Sequence, residues 1–361
     1  MDRKAVPAWK GSMMTSISDI ENTEQLRDFM TEPTAGLVEM MANLQGDMMV
    51  IGGDGKVGPE LVETLVRADR EAGVSDRKMM VAGLFITDYA KQSRERFESW
   101  GCECFAGDLS NPDELAELPD AENLVFMLGF KFGSAGDPGK AILLNAILPA
   151  NVGVKYSKSK ILNFSSGNPY PHTDPALGGA TEATTLNPQG IYGYSILARE
   201  TAFNTSAHGH KHQAVTHYRL MYSQHLCYGV LVDLARMIAS GENISLEMPY
   251  VNLISQRDAI DRALRGFDIA ANPPTILNVA GPVTDVEVIC GKLSEVIGKE
   301  PKFVGERADT ALIANDSFCV EQFGPYRDGV DEMIAAAANW VANDGEDWNL
   351  PTMFGKADHV Y

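Results

Sequence analysis

The sequence predicts an α/β protein built on a doubly wound parallel sheet, with a smaller C-terminal α/β unit that shapes a substrate site. Three observations predict it. From Met48 onward, short apolar runs alternate with stretches of helical periodicity, the pattern of repeated βα units. The first run, Met48-Met49-Val50-Ile51, ends in closely spaced glycines and then turns helical, which reads as strand, tight turn and helix. Polar and small residues cluster just after the apolar runs, where open parallel sheets hold their ligands.

Residues 1–46 precede the first strand and form a helical extension. Ser18-Asp19-Ile20-Glu21 opens one short helix and Thr34-Ala35-Gly36-Leu37 a second, both expected to pack outside the sheet or at a subunit contact. Strand one ends at Ile51. In the turn Gly52-Gly53-Asp54-Gly55-Lys56-Val57-Gly58 each glycine of the GxxGxxG spacing has a task. Gly52 permits the turn, Gly55 lets backbone approach a pyrophosphate, and Gly58 lets the next helix pack on the sheet. Pro59 then opens a helix to about Ala72, whose N-terminal N–H groups and dipole suit an anion.

A second strand covers Lys78 to Ala82, and a helix from about Ala90 to Trp100 leads to a third, Glu103 to Ala106. The fourth, Asn123 to Leu128, is followed by the loop Gly129-Phe130-Lys131-Phe132-Gly133. A helix from about Lys140 to Val152 precedes the fifth strand, Lys160 to Phe164, and then Ser165-Ser166-Gly167-Asn168. A helix begins near Tyr192, and strand six covers Val215 to Leu220. Beyond it, helices at Val230–Ser240, Asp285–Ile297 and Gly329–Ala342 and a strand at Ile276–Gly281 complete the chain. Residues 47–221 and 251–283 are expected to form the dinucleotide-binding domain, and 222–250 with 284–361 the substrate domain.

Composition narrows the function. The 361 residues carry 30 Lys and Arg against 49 Asp and Glu, a formal charge of −19 that repels nucleic-acid backbones and anionic membranes. Neither a signal peptide nor a bilayer-spanning run is evident, and Cys102, Cys104, Cys227, Cys290 and Cys319 show no disulfide or metal spacing. A cytoplasmic location with reduced thiols is expected. His208-Gly209-His210-Lys211-His212 reads as a solvated turn, and no metal is assigned. Met13-Met14, Met40-Met41 and Met79-Met80 read as core filling.

In order along the chain, these residues resemble the extended short-chain dehydrogenase/reductase family, the NAD-dependent epimerase/dehydratase group, from about Met48 to Gly324. Gly52, Gly55 and Gly58 match its dinucleotide turn, Asp108-Leu109 its adenine-contacting pair, and Asn145 its supporting helix asparagine. Ser166 matches the catalytic serine, Tyr192 the catalytic tyrosine and Asp258 the late aspartate. The resemblance implies a Rossmann-like fold, an NAD or NADP cofactor held by the turn with Lys56, Val57, Asp108, Leu109, Gly129, Asn145 and Tyr192, and a homodimer. It implies hydride transfer at a carbohydrate-like alcohol or ketone, with Asn168, Tyr222 and His225 at the substrate. His172 and Asp174 border that region or form an exposed turn.

Two departures stand out. Four residues after the tyrosine the family has lysine, on the same helix face; here the position is Ile196. Lys131 can replace its charge, lowering the pKa of Tyr192 or binding a substrate carboxylate. At the end of strand two the family's NAD-preferring members carry an acid; here the run is Val81-Ala82-Gly83-Leu84-Phe85, and Lys56 is the candidate attraction for an NADP phosphate. The other class of function consistent with the missing lysine is an NAD(P)-binding sensor or regulatory protein without catalysis.

Overall fold

The computed structural model describes residues 16–350 and 352–355, so Met13-Met14 lies outside the described residues. Seven strands form one parallel sheet: β1 Met48–Ile51, β2 Met79–Gly83, β3 Glu103–Ala106, β4 Asn123–Phe126, β5 Lys160–Ser166, β6 Ala214–Leu220 and β7 Thr275–Val279. Their order, β7-β6-β5-β4-β1-β2-β3, reverses direction between β1 and β4. Every residue of β1, β2 and β4 is buried, as expected of strands covered by helices on both faces.

The helices are α1 Thr23–Met30, α2 Ala35–Asn43, α3 Gly58–Glu71, α4 Asp88–Ser99, α5 Pro112–Glu117, α6 Pro138–Ile142, α7 Leu148–Lys155, α8 Gly190–Gly209, α9 Val230–Ser240, α10 Gln256–Arg265, α11 Val286–Ile297, α12 Ser317–Phe323 and α13 Val330–Ala342. Local chemistry sets their ends: Asn22, Thr34, Thr87 and Ser255 accept a backbone N–H in the first turn of α1, α2, α4 and α10. Between α6 and α7 the chain widens into a π-helical stretch, Leu143–Ile147, where one helix was expected without interruption. That stretch places Asn145 in the interior.

One face of the sheet packs Leu61, Val62 and Leu65 of α3 with Leu37, Met40 and Met41 of α2 and Phe267. The opposite face packs Met49, Ile51, Leu124 and Phe126 against Leu148, Val152 and Phe203. A third core joins α9, α11 and α13, and into it go Ile17, Leu26 and Phe29 from the N-terminal segment. That segment therefore does not sit wholly against the sheet: α2 lies there, while Ile17 to Met30 packs with the C-terminal helices. The helical opening expected at Ser18 is a single 3-10 turn, Ile17–Asp19, closed by a capping box from Ser16. Short strand pairs, 223–224 with 254–255, 250–252 with 283–285 and 243–245 with 302–304, join the remaining loops and escaped the sequence pattern because each is only two or three residues long.

Candidate active site

The switch between β1 and β4 opens a crevice at the carboxyl ends of the strands, and the glycine turn forms its floor. Gly52 turns the chain at φ +86° with its N–H on Ala82 O at 2.8 Å. A Cβ on residue 58 would stand 2.1 Å from Gly53 O, so only glycine lets α3 start this close to the turn. Gly55 is exposed, its N–H donates to Gly52 O at 3.3 Å, and a Cβ there would meet only that oxygen, at 3.5 Å, so no neighbour crowds a ligand approaching this position. Val57, the N-cap of α3, supplies no side-chain cap. A tight glycine floor and a helix N-terminus without a side-chain cap fit a dinucleotide pyrophosphate.

At the outer end of the crevice, Asp108 is exposed after β3 and its Oδ1 accepts from Ser110 N (3.0 Å) and Oγ (2.7 Å). Leu109 is buried in the core beneath the sheet, so its side chain packs and does not face a cofactor. Gly129, after β4, lies where a Cβ would be 2.4 Å from Arg199 Nη2 and 3.1 Å from Asn145 Oδ1. Asn145 braces this corner. Its Oδ1 accepts from Phe130 N at 2.9 Å, and its Nδ2 donates to Phe130 O at 2.8 Å and Ser195 Oγ at 2.9 Å.

Tyr192 stands in the first turn of α8, and its phenol is hydrogen-bonded to Ser166 at the end of β5. Ser166 Oγ accepts from Asn168 Nδ2 at 2.9 Å, which leaves its own proton for the phenol oxygen. Ile196 is buried and apolar. The buried cation near Tyr192 is Arg199, seven residues and two helical turns on, which the sequence reading missed because it looked only one turn away. Arg199 Nη1 donates to Phe164 O (2.7 Å), and Nη2 to Leu128 O (2.9 Å) and Asn145 Oδ1 (2.6 Å). These bonds fix a guanidinium under the active-site corner, with no carboxylate in direct contact among the described residues. Burial lowers the Arg199 pKa to about 10, with Tyr192 and Glu200 opposing that shift. Burial pushes the Tyr192 phenol above its ordinary range, while Arg199 and Ser166 pull it back.

Lys131 reaches the same space, its ammonium 5.5 Å from the Tyr192 ring centroid and 5.4 Å from that of Phe132. Burial first, and then Lys56, lower its pKa to about 8. Lys131, Ser166, Asn168, Tyr222, Ser223, Tyr228 and Thr352 line a cleft whose described lining contains no acidic side chain. Thr352 comes from the C-terminal segment and is held by Asp233, its Oγ1 donating to Oδ2 at 2.5 Å. Nothing local to residue 352 signals that return.

Two expected site residues lie elsewhere. His225 is buried outside the cleft: Nδ1 accepts from Cys227 N at 3.1 Å, Nε2 meets Glu60 Oε1 at 3.0 Å, and the ring stacks 4.6 Å from Trp348. Both nitrogens are engaged, Nδ1 within the loop itself and Nε2 in tying that loop to α3. The Lys56 ammonium lies over the rings of Tyr228 (4.1 Å) and Phe132 (4.7 Å), toward the cleft and away from the end of β2, so it is not aimed at an adenosine phosphate. His172 is half-buried beside the serine loop, and Asp174 is exposed and caps the short 3-10 turn 175–177. All five cysteines are free. No group of three His, Cys, Asp or Glu among the described residues is arranged to hold a metal ion, and no described helix is long and apolar enough to cross a membrane.

No curated protein matches the chain. Among solved structures it resembles UDP-galactose 4-epimerase, with 18% identity, a TM-score of 0.63, and coverage of 82% of this chain and 99% of that one. It resembles the UDP-glucose 4-epimerase of Thermus thermophilus in complex with NAD at 17% identity and TM-score 0.65, covering 81% and 98%. The UDP-Glc/GlcNAc 4-epimerase of Campylobacter jejuni gives 17% identity and TM-score 0.66, covering 82% and 99%. At such identities the likeness establishes the fold. The family match reaches further, because residues 48–261, which span the glycine turn, Ser166, Tyr192 and Asp258, fit the model of one family. The chain belongs to the NAD-dependent epimerase/dehydratase family.

Proposed function

We propose that this protein is an NAD(P)-dependent oxidoreductase or epimerase acting at an alcohol or ketone carbon of a carbohydrate-like substrate, with a sugar acid favoured over a neutral sugar. One observation carries the reading: Tyr192, hydrogen-bonded to Ser166 and backed by Arg199, stands beside a cleft that Ser166 and Lys131 line, that has no described acidic lining, and whose Lys131 ammonium lies 5.5 Å from the centroid of the phenol ring. A protein that only binds nucleotide has no need of that constellation. Residues 47–221 with 251–283 hold the cofactor in this reading, and 222–250 with 284–361 shape the substrate end.

The nicotinamide of a dinucleotide held by the turn would supply the acceptor or donor of the hydride. In the oxidative direction Tyr192 takes the hydroxyl proton, helped by the positive field of Arg199, which favours phenolate. Ser166 holds the reacting oxygen in line with the phenol and steadies charge as it develops there. The carbonyl forms as the carbon loses hydrogen with its electron pair and the oxygen loses its proton. Return of hydride to the opposite face of the same carbon would give epimerisation. Lys131 pairs with a carboxylate on the substrate.

The apolar face where the π-helical stretch meets α8, with exposed Ile147 and Tyr194 beside half-buried Leu197 and Ala198, supports a homodimer formed through these helices.

Protein saturated with NAD+ or NADP+ is mixed with hexonates, hexuronates and their neutral counterparts while reduced-nicotinamide absorbance is followed and epimer formation is measured by chromatography. Turnover of an acid, lost by about 10²–10⁴-fold in Tyr192→Phe with nucleotide affinity kept, is the expected result. Full activity in Tyr192→Phe would remove the proton-transfer role, and binding of nucleotide without turnover of any of these compounds would turn the reading toward a sensor.

A further inference from the structure

The end of β2 has no acid of its own. Gly83 is buried, and the flanking Leu84 and Ile86 are apolar and 46% and 67% exposed. A carboxylate nevertheless arrives there from another element. Asp54, in the turn after β1, lays its side chain on Gly83: Oδ2 accepts the Phe85 N–H at 2.9 Å, and a Cβ on residue 83 would stand 2.4 Å from Oδ1. Aspartate at 54 and glycine at 83 are therefore one feature, since any side chain at 83 would displace the carboxylate. Phe85 adopts φ +50°, a left-handed conformation rare outside glycine, so the chain accepts strain where its N–H meets Asp54.

We propose that Asp54 is the residue that selects the cofactor: its carboxylate accepts the adenosine ribose hydroxyls and disfavours a ribose phosphate, so the protein prefers NAD over NADP. The inference rests on the dinucleotide reading of the crevice. One lone pair of Asp54 is engaged with Phe85, and the side chain is half-buried, so the carboxylate keeps the capacity to accept two hydroxyl protons. A phosphate on that ribose would instead meet Asp54 at close range. The neighbouring turn adds to the repulsion: Gly107 N donates to Gly83 O at 3.1 Å, bringing the β3 loop alongside, and that loop carries Asp108, whose N–H donates to Glu114 of α5 at 2.7 Å. A cation on this side, Arg94, lies 5.8 Å from the Phe85 ring centroid, and its Nε is bound to Glu98 at 2.7 Å. Lys56, two residues on in the same turn, lies over the ring of Tyr228, which lines the cleft.

Asp54→Asn separates selection from a purely structural role, because asparagine keeps an acceptor for the Phe85 N–H and the same shape while losing the charge. Calorimetric titration of the full chain with NAD+ and with NADP+ is expected to give at least tenfold tighter binding of NAD+. In Asp54→Asn that ratio should fall about tenfold or more, with NADP+ gaining affinity, and Arg94→Met should leave it unchanged. Equal affinities in the wild type, a preference for NADP+, or an unaltered ratio in Asp54→Asn would each overturn the assignment while leaving the dinucleotide site standing. Binding of neither nucleotide would overturn the dinucleotide site, and this inference with it.

Discussion

Replacing Lys131 by methionine should make the protein more stable and less active. The ammonium is half-buried in the cleft and close enough to Lys56 to feel its charge. A fall from 10.5 to about 8, at about 1.36 kcal/mol per pH unit, sets a ceiling of about 3.4 kcal/mol on what the folded state loses by carrying this charge. Partial exposure screens the ammonium, so about 1–2 kcal/mol is expected. The sign follows from proton counts. Below pH 8 the amine is charged in both folded and unfolded chains, and the whole deficit is present. Between 8 and 10.5 the unfolded chain binds more protons than the folded one, so wild-type stability recovers as pH rises. The advantage of Lys131→Met should thus be fullest near neutrality and fade toward the upper end of that window. Urea unfolding of both proteins at neutral pH and near pH 10, followed by tryptophan fluorescence, measures it. A mutant less stable than wild type at neutral pH, or an advantage that does not shrink with pH, would refute the reasoning. In turnover, loss of a charge-assisted bond to a substrate carboxylate should cost about 10–100-fold in kcat/KM for an acid and far less for a neutral analogue.

Arg199→Met removes a charge that lowers the Tyr192 pKa, so the rise of oxidative rate with pH should move to higher pH, with Arg199→Lys partly restoring it. An unmoved profile in a folded Arg199→Met protein would exclude the guanidinium as the partner of the phenol. Ile147→Glu, on a side chain 50% exposed in the helical face, should halve the solution mass measured by sedimentation while leaving the helical content intact. A wild-type monomer would overturn the dimer.

Much of the fold was legible because it is written in short-range pattern. The apolar run at Met48, the glycines at 52, 55 and 58 and the small residues after each strand depend only on neighbours a few positions away, and the parallel sheet follows from their alternation. Side-chain direction is not written that way. Lys56 was read as facing the adenosine end because it lies in the turn, yet its stem carries the ammonium over Tyr228. Asp54 drew no attention, since its partner N–H is 31 residues on. Arg199 lay beyond the one-turn window, and its anchors are carbonyls at the ends of two strands. His225 looked available until Glu60, 165 residues earlier, was seen to claim it. Each miss involves a partner supplied by tertiary packing, which no local spacing encodes.

The N-terminal segment divides its apolar side chains between two cores, Ile17, Leu26 and Phe29 in one and Leu37, Met40 and Met41 in the other. The link between them is itself pinned, by Arg67 Nη1 donating to Thr31 Oγ1 at 2.7 Å and Thr34 Oγ1 donating to Asp261 Oδ1 at 2.5 Å. Such a strap makes a clamshell opening of the molecule costly, since it would pull one set of side chains into water. Ligand traffic is thereby left to the rim, where rings of the 222–229 loop meet Trp348 and Phe354, Tyr222 edge-on to Phe354 and His225 and Tyr228 stacked on Trp348.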